Sequence, residues 1–216
     1  MPEPEGHDFT HVSHVVLLRL NPLLHCGRTE TENTMTSDTT PLNAAIGDAG
    51  FYATFGWSPG PRDRGNVRIR SHFDYVVARL RNRDCSELKA SVRARRERCI
   101  ELLEGYRDAG VFPVNSYLED RTPVFIDAEG RLCAVGYLIA QTAGLRASEE
   151  IAAAHRLSLI EDIDLPIIDA WAADYGFERH ELAMIQPNYD WAGAATIVES
   201  SMGWFHWLRR SACFPL

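Results

Sequence analysis

The chain has 216 residues, 45% hydrophobic and 24% charged, with a formal net charge of -8 at pH 7. These are globular proportions, and the length fits one domain with extensions or at most two small ones. The acidic balance argues against nucleic acid or an anionic membrane as partner, because neither surface gains from an acidic protein.

The most apolar stretch, Val12 to Leu24, is 13 residues long and contains Arg19 and Pro22. A membrane-spanning helix needs roughly 20 apolar residues, so no membrane span is expected. The residues before it are acidic where a signal peptide is positive. This mismatch marks Met35 as the expected true start and residues 1–34 as not native. Thr29 to Thr40 is a polar run with almost no apolar content, and Ser58 to Gly65 is dense in Pro and Gly. Residues 1–66 therefore read as a poorly ordered extension and linker. Within it, the apolar patch Gly50 to Trp57 is placed against the main body.

The globular domain is expected at residues 67–192. Ile69, Phe73, Val76 and Leu80 recur at helical spacing on one face. Asp84 and Glu87 have the spacing of a capping box, predicting a helix from about Cys85 to Ala109 with Gly110 as its stop. Its apolar line is Leu88, Val92, Cys99, Leu103 and Tyr106. Arg93, Arg95, Arg96 and Arg98 read as a solvated face paired with Glu97, Glu101 and Glu104, in preference to a nucleic-acid surface.

Phe112 to Leu118 reads as a loop with aromatic anchors. Thr122 to Asp127 has strand composition, and Ala128-Glu129-Gly130 is a turn. From Leu132 two continuations stay open: a second hairpin strand through Ala134 or Val135, or direct entry into a helix from Cys133 to about Thr142. Gly136 lets this segment approach a neighbour closely. Three short helices follow, at Ala147 to Arg156, at Pro166 to Tyr175 with Gly176 as stop, and at Glu178 to Ile185 before Pro187. Residues 193–216 read as an amphipathic helix docked on the domain. The fold class is mainly α, as a compact multi-helix domain, or α+β to the extent of one small hairpin.

The run Arg121 to Leu138, followed by Trp171, Gly176-Phe177 and Glu181 to Tyr189, resembles the pattern of a family of bacterial hypothetical proteins. The resemblance covers about residues 70–190. It implies a bacterial domain with those boundaries and implies no catalytic residue. Members carrying the pattern are often exported, and this chain lacks their signal segment.

Five cysteines are present, with no CxxC pair. Free thiols in a reducing cytoplasm are expected, with no zinc ribbon. His11, His14, His25 and Cys26 have ligand chemistry but lie in the leader, so no metal site is assigned. Asp127-Ala128-Glu129-Gly130 lacks the further acids of a calcium loop and reads as a plain turn. Paired carboxylates for glycosidase chemistry exist among Glu119, Asp120, Asp127, Glu161, Asp162 and Asp164, but their separation is not readable. No nucleotide-binding, serine-hydrolase or zincin motif occurs, and no cofactor is expected.

Two functional readings remain. Asn115, Arg121, Asp127, Tyr137, Gln186 and Tyr189 are polar groups in apolar surroundings. They either form a network pinning the Arg121 loop to the C-terminal helices or line a small polar pocket near Arg121, Cys133 and Gln186. The first reading is a binding or scaffold domain for a small molecule or peptide. The second is a cysteine-dependent hydrolase or transferase, with Cys133 at a helix N-terminus as nucleophile, His155 or His180 as base, and Asp127 or Gln186 orienting. The apolar flanks of Cys133 favour a packing role.

Overall fold

The computed structural model describes residues 40–60 and 63–193. The leader 1–34 and the terminal helix expected beyond Gly193 lie outside the described residues. Within them the chain is a helical domain, with β structure limited to three isolated bridges.

The packed body begins well before position 67. Leu42 is 2% exposed and Asn43 fully buried, and the patch after them forms helix α1, Ala49–Phe55. Phe51 of α1 is buried against helix α2, Gly65–Asn82. Gly50 sits so close that a Cβ there would lie 2.6 Å from the Cα of His72. The expected linker thus includes a packed helix. Its low charge is the composition of a contact surface.

The line Ile69, Phe73, Val76 and Leu80 is buried as expected. Arg68, Ser71, His72 and Val77 are buried too, because α2 packs against α1, helix α3 (Ala90–Ala109) and a late helix described below. The start of α3 corrects the expected start at Cys85. Asp84 accepts a hydrogen bond from Ser86 N–H at 2.9 Å, closing an Asx turn in place of a capping box. Gly110 ends α3 in the left-handed conformation, as its position predicted.

The segment after α3 has no strand pair. Ile126 bridges Leu132 around the Asp127–Gly130 turn, and Gly130 has φ of 80°. The chain then enters helix α4, Ala134–Ala143, directly, so the second-strand alternative does not occur. Gly136 fulfils its expected role: a Cβ there would lie 3.0 Å from the Phe125 ring.

Helix α5, Leu145–His155, follows at once, and a 3₁₀ turn at Ile160–Asp162 leads to helix α6, Pro166–Tyr175. Helix α7, Arg179–Ile185, closes the series and carries the capping box formed by Glu178 and Glu181. Helix α4 packs on α3, α5 and α7 and forms the centre of the core, with Ala134, Val135 and Leu138 fully buried. No helix of the described residues is long and apolar enough to cross a membrane.

Candidate functional site

The Arg121 run meets the end of the described chain through backbone pairing. Thr122 and Tyr189 form an antiparallel bridge, with Tyr189 N–H donating to Thr122 O at 2.8 Å. Asn115 pairs in parallel with Trp191. The buried Arg121 guanidinium donates through Nε to Asp190 Oδ1 at 2.8 Å and through Nη1 to Thr40 O at 3.2 Å. One side chain thus ties both ends of the described chain to the loop.

The other predicted polar residues are equally committed. Asn115 Nδ2 donates to Leu118 O and Asp120 O, each at 2.8 Å, while its Oδ1 accepts from Tyr117 and Leu118 N–H. Gln186 Oε1 accepts from Ile160 N–H at 2.7 Å, and Nε2 donates to Ser158 O at 3.1 Å. Asp127 accepts from the N–H groups of Val114, Glu129 and Arg131 and from Arg131 Nε. Burial pushes the Asp127 carboxyl up, and these hydrogen bonds outweigh it, holding the group below the usual carboxylate range. Such groups have little capacity left for a ligand.

Cys133 and His155 are not brought together into a nucleophile–base pair. Cys133 is the N-cap of α4, and its Sγ accepts from Gly136 N–H at 3.3 Å. Its placement at the helix start matches expectation, but the side chain has no solvent access. Burial pushes the thiol up to about 12, overriding the helix-terminus effect that would favour thiolate. The His155 ring contacts Ser158 Oγ at 3.3 Å, and His180 pairs with Glu178 on the surface. No hydrogen bond joins either ring to Cys133 among the described residues.

Tyr189 is 1% exposed, and its hydroxyl lies beside Tyr106 without meeting hydrogen-bond geometry. Tyr106 itself donates to Leu132 O at 2.8 Å. Tyr137 differs from the rest of the predicted set. It is half-buried and lines a cleft of about 270 Å³ together with Tyr106, Ala109, Val111, Gly130, Arg131 and Leu132. Arg121, Cys133 and Gln186, the expected pocket residues, do not line this cleft.

No known family, no curated protein and no solved structure matches this chain.

The buried polar residues outside the predicted set include Asn43, Arg96 and His72. Asn43 joins the first described residues to the end of α7. Arg96, expected on a solvated face, is 2% exposed and makes a two-pronged pair with Glu181 at 2.7 and 2.9 Å while lying over the Phe177 ring. Its position four residues after Val92, inside the apolar line of α3, was the available signal. The other arginines of that stretch do stay at the surface, and Arg98 pairs with Glu101 as expected, but Glu97 and Glu104 pair with Arg81 of α2. His72, 1% exposed with neither ring nitrogen hydrogen-bonded, had no comparable signal beyond its place on the inner side of α2. No cluster of three or more His, Cys, Asp or Glu suited to a metal occurs among the described residues. The leader's His11, His14, His25 and Cys26 lie outside them.

Proposed function

We propose that this chain is a binding domain without chemistry of its own, receiving a small molecule or a peptide side chain at the Tyr137 cleft. The observation that supports it is a contrast within one set of residues. Asn115, Arg121, Asp127 and Gln186 direct their polar groups at the protein's own backbone and ion-pair partners, while Tyr137 borders open space. A hydrogen-bonded framework beside a partly apolar recess suits recognition. The nucleophile reading of Cys133 lacks an accessible thiolate and a paired base. The resemblance of residues 70–190 to bacterial proteins belongs to the same proposal, as does a cytoplasmic setting for the free thiols.

The test is a fragment screen on the full chain by ligand-observed NMR, repeated on Val111→Glu. Val111 is 60% exposed, so a charge there obstructs the cleft with little effect on folding. Hits lost in Val111→Glu are expected. A screen whose every hit survives this substitution would place binding elsewhere and overturn the proposal.

A further inference from the structure

We infer that the ligand of the Tyr137 cleft is a neutral, planar aromatic molecule of one or two rings carrying a hydrogen-bond acceptor. This rests on the binding reading above and adds the ligand's chemistry to it.

Size comes first. A recess of about 270 Å³ is just below the roughly 300–1,000 Å³ of sites for drug-sized molecules. The walls then select the surface it takes. Phe73 is fully buried, and its ring centroid lies 5.6 Å from that of Tyr106. Tyr106 in turn lies 5.1 Å from Tyr137, with the planes at 37°. A series of rings therefore runs from the core to the cleft and stops at Tyr137. A ligand ring placed there extends the series at the spacing aromatic pairs prefer. Ala109, Val111 and Leu132 supply the aliphatic sides.

Arg131 supplies the polar contact. Its Nε donates to Asp127 at 2.5 Å and its Nη2 to Glu129 at 2.7 Å. Its Nη1 has no partner among the described residues, which leaves a donor for a ligand carbonyl or ring nitrogen. The charges around it disfavour ions of either sign. Asp127 and Glu129 already pair the guanidinium, so an ion of either sign would lose hydration here without finding an uncompensated partner.

Four probes of one shape separate these features: benzamide, benzoate, benzylammonium and cyclohexanecarboxamide. Each is titrated into the isotope-labelled full chain, reading the amide signals of Val111, Gly130 and Leu132. Benzamide is expected to shift these signals and to bind about three- to tenfold more tightly than cyclohexanecarboxamide. It is also expected to bind more tightly than either ion. Tyr137→Ala should erase the preference for the aromatic ring, and Val111→Glu should weaken all four if Tyr137→Ala fails to fold. Equal binding of cyclohexanecarboxamide overturns the aromatic assignment, and tighter binding of either ion overturns neutrality. Silence from all four, with a fragment hit blocked by Val111→Glu in hand, overturns the ligand class alone. Silence with no such hit overturns the binding reading beneath it.

Discussion

Asn43 Nδ2 donates to Gln186 O at 2.7 Å across 143 positions of sequence. The same amide reaches Ala183 O at 2.8 Å and Met184 O at 3.2 Å, while its Oδ1 accepts from Ala45 and Ile46 N–H. The last carbonyls of a helix have no partners within it, and Asn43 supplies them for α7. Asn43→Ala is expected to leave several buried acceptors unpaired and to cost roughly 2–4 kcal/mol. Urea unfolding should show a lower midpoint with an unchanged slope. An unchanged midpoint would mean that residues 40–46 are not part of the folded body.

Arg96 and Glu181 form a buried ion pair further supported by Arg83 and by Gly176 O. Burial pushes the Glu181 carboxyl up, and the hydrogen bonds from Arg96 outweigh it, so the group is held below its ordinary value. Removing one partner leaves a charge buried alone. Glu181→Ala should cost about 3–5 kcal/mol, and Arg96→Met combined with Glu181→Leu should recover much of that loss. A double-mutant cycle with no coupling would contradict this geometry.

His72 gives stability a pH dependence of its own. Burial lowers it from 6.5 to about 4, opposed by the nearby Met184 backbone and the Asp48 carboxylate, which is itself paired with Arg68. The unfolded chain binds the proton more tightly between these values. The contribution is therefore full above about pH 6.5 and is lost as pH falls towards 4, by roughly 3 kcal/mol in all. His72→Leu should flatten this part of the stability profile. It should not weaken the protein at neutral pH, because the removed nitrogens had no hydrogen-bond partners. Parallel profiles for the two proteins between pH 4 and 7 would exclude the effect.

Cys133 should resist alkylation. Its thiol is buried and held at about 12, whereas Cys85 is half-buried at the surface. Iodoacetamide labelling near neutral pH, followed by peptide mass spectrometry, should modify Cys85 at least about tenfold faster. Selective modification of Cys133 in the folded chain would restore the nucleophile reading.

Much of the helical framework was legible because its signals are local. Pro166 and Gly176 bound α6 at the residues expected, and Gly110 ends α3. The inner line of α2 followed from spacing alone. The start of α3 was misplaced because an Asp serves an Asx turn and a capping box equally well, and only the N–H it accepts from decides. Asn43 and the Arg96–Glu181 pair were missed because their partners lie 80 or more positions away, where periodicity carries no information. The candidate site divides in the same way. That Arg121, Asp127 and Gln186 sit in apolar surroundings was readable. Whether their polar groups turn inward or towards a cleft depends on the acceptors other segments bring, and Tyr137, unlike Arg121, Asp127 and Gln186, lines the cleft beside Gly130 and Arg131.

Polar groups that hold the fold and a tyrosine that borders the proposed binding recess divide the labour. Measuring thermal midpoint and benzamide affinity on Gln186→Ala and Tyr137→Ala tests this division most directly. Gln186→Ala should lose roughly 2–4 kcal/mol of stability, with the affinity of the folded protein unchanged. Tyr137→Ala should lose about three- to tenfold in affinity. Lost affinity in Gln186→Ala with an intact midpoint, beside unchanged affinity in Tyr137→Ala, would contradict it.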